Sequence, residues 1–149
     1  MRWFRDNIDG TLTGFFTTRR RGCAGRRLAA MQLAERLLRD CVEAVADEVL
    51  PAEERTLLAA EREFRWEGAA ARVAQPAALL TVLPHYLADD RWRPGEADER
   101  RAQVLAAGAL VRHLVEVLPP GEHTGAIHAA AAAIEAAALR IRGDARLTR

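Results

Sequence analysis

Side chains able to do chemistry are sparse in this 149-residue chain, and their spacing argues against most kinds of chemistry. Serine, the commonest nucleophile, is absent from the whole sequence. Cys23 has no histidine close to it in sequence, so the usual thiol–imidazole pair is not in evidence. The histidines are His85, His113, His123 and His128. His123 and His128 are five apart, whereas two ligands on one helical face stand four apart. His113 precedes Glu116, the reverse of the Glu-x-x-His order of ferritin-like bundles. The stretch Arg21-Gly22-Cys23-Ala24-Gly25 has two glycines but lacks the Lys and Ser or Thr of a phosphate-cradling loop. The chain is therefore expected to be no enzyme and to hold no cofactor and no metal.

Acidic pairs stand at Asp47-Glu48, Glu53-Glu54 and Asp89-Asp90, where carboxylates at helix starts are favoured by the helix dipole alone. Two nine-residue stretches share a pattern, Ala46-Asp47-Glu48-Val49-Leu50-Pro51-Ala52-Glu53-Glu54 and Ala88-Asp89-Asp90-Arg91-Trp92-Arg93-Pro94-Gly95-Glu96. In each, an Ala-Asp follows an apolar run, and a proline and acids then open a helix. The pattern resembles the doubled acidic turn of the tellurite-resistance TerB-like helical domains. That resemblance implies a helical domain with a link to metal ions. Glu48 and Asp90 stand where that turn has glycine, and a left-handed backbone would be strained by either.

The strongest signal is basic. All 22 basic residues are arginine, a composition that fits a bacterial-type GC-rich genome. The net charge of +1 conceals a split. Residues 1–27 carry seven arginines against Asp6 and Asp9, a charge of +5, and the remainder carries −4. Arg19, Arg20, Arg21, Arg26 and Arg27 cluster beside Phe15 and Phe16, with Trp3 and Phe4 upstream. Arginines supply phosphate contacts, and aromatic rings can stack on bases or enter a lipid interface. Arg26 and Arg27 also fall at the expected start of a helix, where positive charge opposes the dipole. No helix-turn-helix or finger pattern accompanies them. The expected function is that of an interaction protein (an adaptor, regulator or assembly subunit) meeting a protein partner or a second copy through this segment. Nucleic-acid or anionic-surface binding through Arg19–Arg27 is the alternative, and a TerB-like or ligand-holding bundle a third.

The elements that must position these residues are helical. From Pro94 to Leu118, Val104, Ala107, Val111, Leu114, Val115 and Leu118 form one stripe, with acids at its start and Pro119-Pro120-Gly121 beyond its end. A second stripe, Met31, Ala34, Leu38, Cys41, Val42, Val45 and Val49, predicts a helix from about Arg26. Pro51 predicts the first position of the next helix, through Leu57, Leu58, Ala60 and Phe64. A short apolar helix after Pro76 is expected to kink or stop at Pro84. Ile127, Ala131, Ile134, Ala138 and Ile141 predict a last helix between Thr124 and a cap at Gly143. Short connections make neighbours antiparallel. The expected fold is all-α: a single-domain antiparallel helical bundle, residues 28–149, of four main helices plus one short one. Residues 1–27 are expected to form a basic, aromatic N-terminal arm outside it, with β-type stretches at Thr11–Thr13 and Phe15–Thr18. Cys23 and Cys41 are expected as free thiols in a cytoplasmic chain with no transmembrane segment.

Overall fold

The computed structural model describes residues 7–147, and among these every regular element is a helix. Seven α-helices pack against one another: α1 (Ile8–Arg20), α2 (Gly25–Val49), α3 (Ala52–Phe64), α4 (Ala69–Val73), α5 (Leu79–Ala88), α6 (Ala97–Val117) and α7 (Thr124–Leu147). Short 3₁₀ turns at Pro76–Ala78 and Asp90–Trp92 lead into α5 and out of it.

Helix α1 corrects the expectation for the N-terminal segment. Ile8, Leu12 and Phe16 recur every four residues, so a helix sets them on one line, and all three are buried in the common core. Burial of that line overrides the β preference of the threonines between them, which is weak and context-dependent. The Asn7 side chain accepts a hydrogen bond from the Gly10 amide (2.7 Å) and donates to the Arg72 carbonyl (3.0 Å). The Ile8 amide donates to the Ala74 carbonyl (2.9 Å). Residues 8–20 are thus part of the bundle and not an arm beside it. Trp3 and Phe4 lie outside the described residues.

Helix α5 lies at the centre. Leu79, Leu80, Val82, Leu83, Tyr86 and Leu87 leave it buried around most of its circumference. Pro84 sits inside this helix without ending it. The missing amide removes one bond, and packing on several sides outweighs that loss. Helix α2 covers one side of α5, and α6 and α7 cover others. The α7 contact is made with small residues: Ala130 and Ala137 are buried, and Ile127 and Ile134 are partly so. Arg140 of α7 donates to the Leu87 carbonyl (2.5 Å) in the last turn of α5, where a cation also suits the dipole. Helix α7 continues past Gly143 to Leu147, so that glycine is no cap.

Helices α3 and α4 are separate because Gly68 adopts φ +71°, and a Cβ there would approach Arg72 Nη1 to 3.1 Å. Arg72 stitches the junction, with Nε on Glu61 (2.8 Å) and its terminal nitrogens on the Glu67 and Arg65 carbonyls. The first amides of α4 are satisfied from another helix: Glu43 of α2 accepts from Ala70 (2.8 Å) and Ala71 (3.0 Å). The large apolar residues of α3 are mostly not covered. Leu58 is buried, whereas Leu57 is 56% and Phe64 89% exposed.

Candidate functional site

The turn between α1 and α2 assembles the arginines. It runs through Gly22 (φ +78°) and Gly25 (φ +58°), both in the left-handed region that glycine enters at least cost. The reversal of direction brings Arg19, at the end of α1, beside Arg26 and Arg27, in the first turn of α2. The first turn of α2 contains no acid, and Ala24 before it offers no side-chain cap. Its leading amides therefore lack a side-chain cap at the positive end of the dipole.

These residues border a recess of about 350 Å³ closed on its far side by α6. Arg19, Arg26, Arg27 and Arg101 reach it from three helices, and Cys23, Ala30, Met31, Ala102 and Leu105 form much of its wall. Asp98 is the single acid on the lining, 3.4 Å from Arg101. Arg19, Arg26 and Arg27 make no ion pair among the described residues. Arg19 lies over the Phe15 ring (5.6 Å), and its Nε is shielded from solvent with no acceptor. Nearby arginines behave differently. Arg20 pairs with Glu35 (2.6 Å), and Arg39 holds Asp9 and Glu35 (2.8 and 3.0 Å), so these guanidiniums are already committed to the fold. Arg21 is exposed at the turn itself.

The other expected contact residues are dispersed. Phe16 is 1% exposed and so is unable to dock a partner. Phe15 is half-buried, edge-on to Phe16 (5.1 Å) and near His113 (6.1 Å), and it lines the larger groove described next. Three large residues among glycines and threonines are too few to mark the α1 stripe in sequence. The place of Arg101, Met31 and Leu105 at the recess depends on α2 and α6 lying side by side, and no local pattern carries that.

A second, larger groove of about 870 Å³ runs along the outer face of α1, past Gly10, Thr11, Gly14 and Thr18, to Val117 and Leu118 at the end of α6. Of the cations on it, Arg72 is taken up by the α3–α4 junction.

Neither the histidines nor the acidic turns form a centre. Among the described residues, no three His, Cys, Asp or Glu side chains are placed to hold a metal ion. Asp47 accepts from Arg62 (3.1 Å), Glu54 accepts from the Gln75 amide (2.7 Å), and Asp89 caps the Asp90–Trp92 turn while pairing with Arg91 (2.9 Å). That pairing holds the Asp89 carboxyl below its ordinary range and Arg91 above its own.

The two thiols are free and differ in access. Cys41 is on the buried face of α2, and burial pushes its thiol up to about 12. Cys23 is half-buried at the recess, with Sγ donating to the Arg19 carbonyl (3.4 Å). Among the described residues, no helix is long and apolar enough to cross a membrane. Comparison with protein-family models, curated proteins and solved structures finds no match for this chain.

Proposed function

We propose that this protein is a non-enzymatic helical binding module whose contact surface is the arginine-lined corner at the α1–α2 turn, and whose partner is an anionic, phosphate-bearing surface. The observation that carries this reading is the gathering of Arg19, Arg26, Arg27 and Arg101 around one recess with Asp98 as the sole acid. Like charges held together repel, and Arg26 and Arg27 additionally oppose the α2 dipole. An anion seated there relieves both costs.

A lipid-type surface is favoured over single-stranded nucleic acid. Strand binding draws on several open aromatic faces, whereas Phe16 is buried and Arg19 lies over the half-buried Phe15 ring. Leu105, 65% exposed on the rim beside Arg101, suits an interface where charge and apolar groups meet. Of the aromatic residues expected to dock a protein partner, Phe16 is buried, Phe15 is half-buried at the larger groove, and Trp3 and Phe4 lie outside the described residues.

Co-sedimentation with phosphatidylglycerol–phosphatidylcholine vesicles tests the proposal. Binding should appear at low salt, fall steeply as salt rises, and be lost in the Arg26→Ala, Arg27→Ala double variant. No binding at low salt, or binding indifferent to those substitutions, would overturn it. Binding to a single-stranded oligonucleotide but not to vesicles would also defeat the surface reading and transfer the corner to nucleic acid.

A further inference from the structure

We infer that the recess between the α1–α2 turn and α6 is a binding site for one phosphomonoester group carried on a small apolar body. The inference deepens the reading above and rests on the arginine corner being the contact surface. It adds that recognition is by a shaped pocket rather than by diffuse positive charge.

The distinction comes from where the guanidiniums originate. Arg19 is on α1, Arg26 and Arg27 on α2, and Arg101 on α6, so the cations approach one space from separate directions. A carboxylate offers two oxygens in one plane and a single negative charge, less than four arginines can use. A phosphomonoester presents three terminal oxygens in a tetrahedron and about two negative charges, which suits several forked donors at once. The charge count agrees: four arginines less Asp98 leave +3 on the lining.

The remaining wall defines the rest of the ligand. Met31 and Leu105 give apolar contact, and methionine adapts to varied shapes. The volume of about 350 Å³ is at the low end for small-molecule pockets, enough for the phosphate and a ring or short chain. Three sources carry this chemistry: a free phosphorylated metabolite, the headgroup of a phosphatidic-acid-like lipid, and a phosphorylated end of a nucleic acid.

Cys23 supplies the readout, because it lines the recess while Cys41 is sealed in the core. The full chain is titrated at constant ionic strength with phenyl phosphate, and the rate of Cys23 reaction with a disulfide reagent is followed. Phenyl phosphate should slow the reaction several-fold at saturation; phenol and matched sodium chloride should not. Arg101→Gln, on an exposed residue outside the Arg19–Arg27 cluster, should weaken apparent affinity by about tenfold, the loss of one charge-assisted contact. Asp98→Asn should strengthen it, a gain that misfolding cannot imitate. Direct titration of arginine Nε–H resonances by NMR should show the Arg19 and Arg101 signals moving together with phenyl phosphate. A 5′-phosphorylated dinucleotide and a short-chain phosphatidic acid below its micelle concentration then separate the sources, and the tighter of them names the ligand. Absence of both protection and resonance shifts, or equal protection by chloride, would overturn the inference. Unchanged affinity in Arg101→Gln would do so too. Vesicle binding without phosphomonoester protection sinks the recess and leaves the surface reading standing, whereas protection without vesicle binding does the reverse.

Discussion

Two hydroxyl- and thiol-bearing residues show how burial alone fixes the pH range of a fold. The Tyr86 hydroxyl donates to the Ala34 carbonyl (2.9 Å), and Cys41 lies in the same core. Burial raises both, Cys41 from 9.0 to about 12 and Tyr86 well above its ordinary value. In each case the folded state holds the proton more tightly than the unfolded chain does. The resulting stability is therefore present in full below about pH 9 and drains away as the pH climbs toward 12, at up to about 1.4 kcal/mol per pH unit for each group. Denaturant midpoints measured between pH 8 and pH 11 should fall, and Cys41→Ala should flatten the fall. An unchanged slope in that variant would mean that the thiol is not sealed.

At the scale of elements, α7 depends on the smallness of its contact residues. Ala130 is fully buried where α7 lies along α5 and α6, so an added side chain has nowhere to go. Ala130→Leu should lower stability by about 1–3 kcal/mol, read as a reduced thermal midpoint. The same substitution at exposed Ala132 should be nearly silent. Helices α2 and α6 were legible before any coordinates, because long stripes, a proline-glycine opening and a proline stop leave few alternatives. The Glu96–Glu99 capping box accounts for the sharp start of α6. The facing side is legible in part: Ala107, Val111 and Leu114 of the expected stripe are buried, Gln103, Ala106 and Leu110 are buried beside them, and Val115 is half exposed. Gln103 is admitted because its amide donates to the Trp92 carbonyl (2.7 Å), a pairing invisible in hydropathy. Helix α1 was missed because glycines and threonines diluted a line of only three large residues. The arginine corner was half legible, since adjacent cations can be counted in sequence but Arg101 arrives through packing.

For the whole molecule, the burial of α1 changes what truncation means. Ile8, Leu12 and Phe16 are each worth about 1.5–3 kcal/mol of burial, together comparable with the stability of an ordinary domain. Removing residues 1–22 should therefore abolish the cooperative thermal transition seen by circular dichroism, while removing residues 1–6 should preserve it. A folded 23–149 fragment would show that α1 is dispensable after all. Helix α4 illustrates a related dependence in time. Five residues are too few to nucleate a helix in water, and its leading amides are held by a carboxylate 27 residues earlier. This segment therefore takes its shape from a neighbour already in place. As the chain emerges during synthesis, α2 comes first and waits as a mould, and the short segment sets against it later.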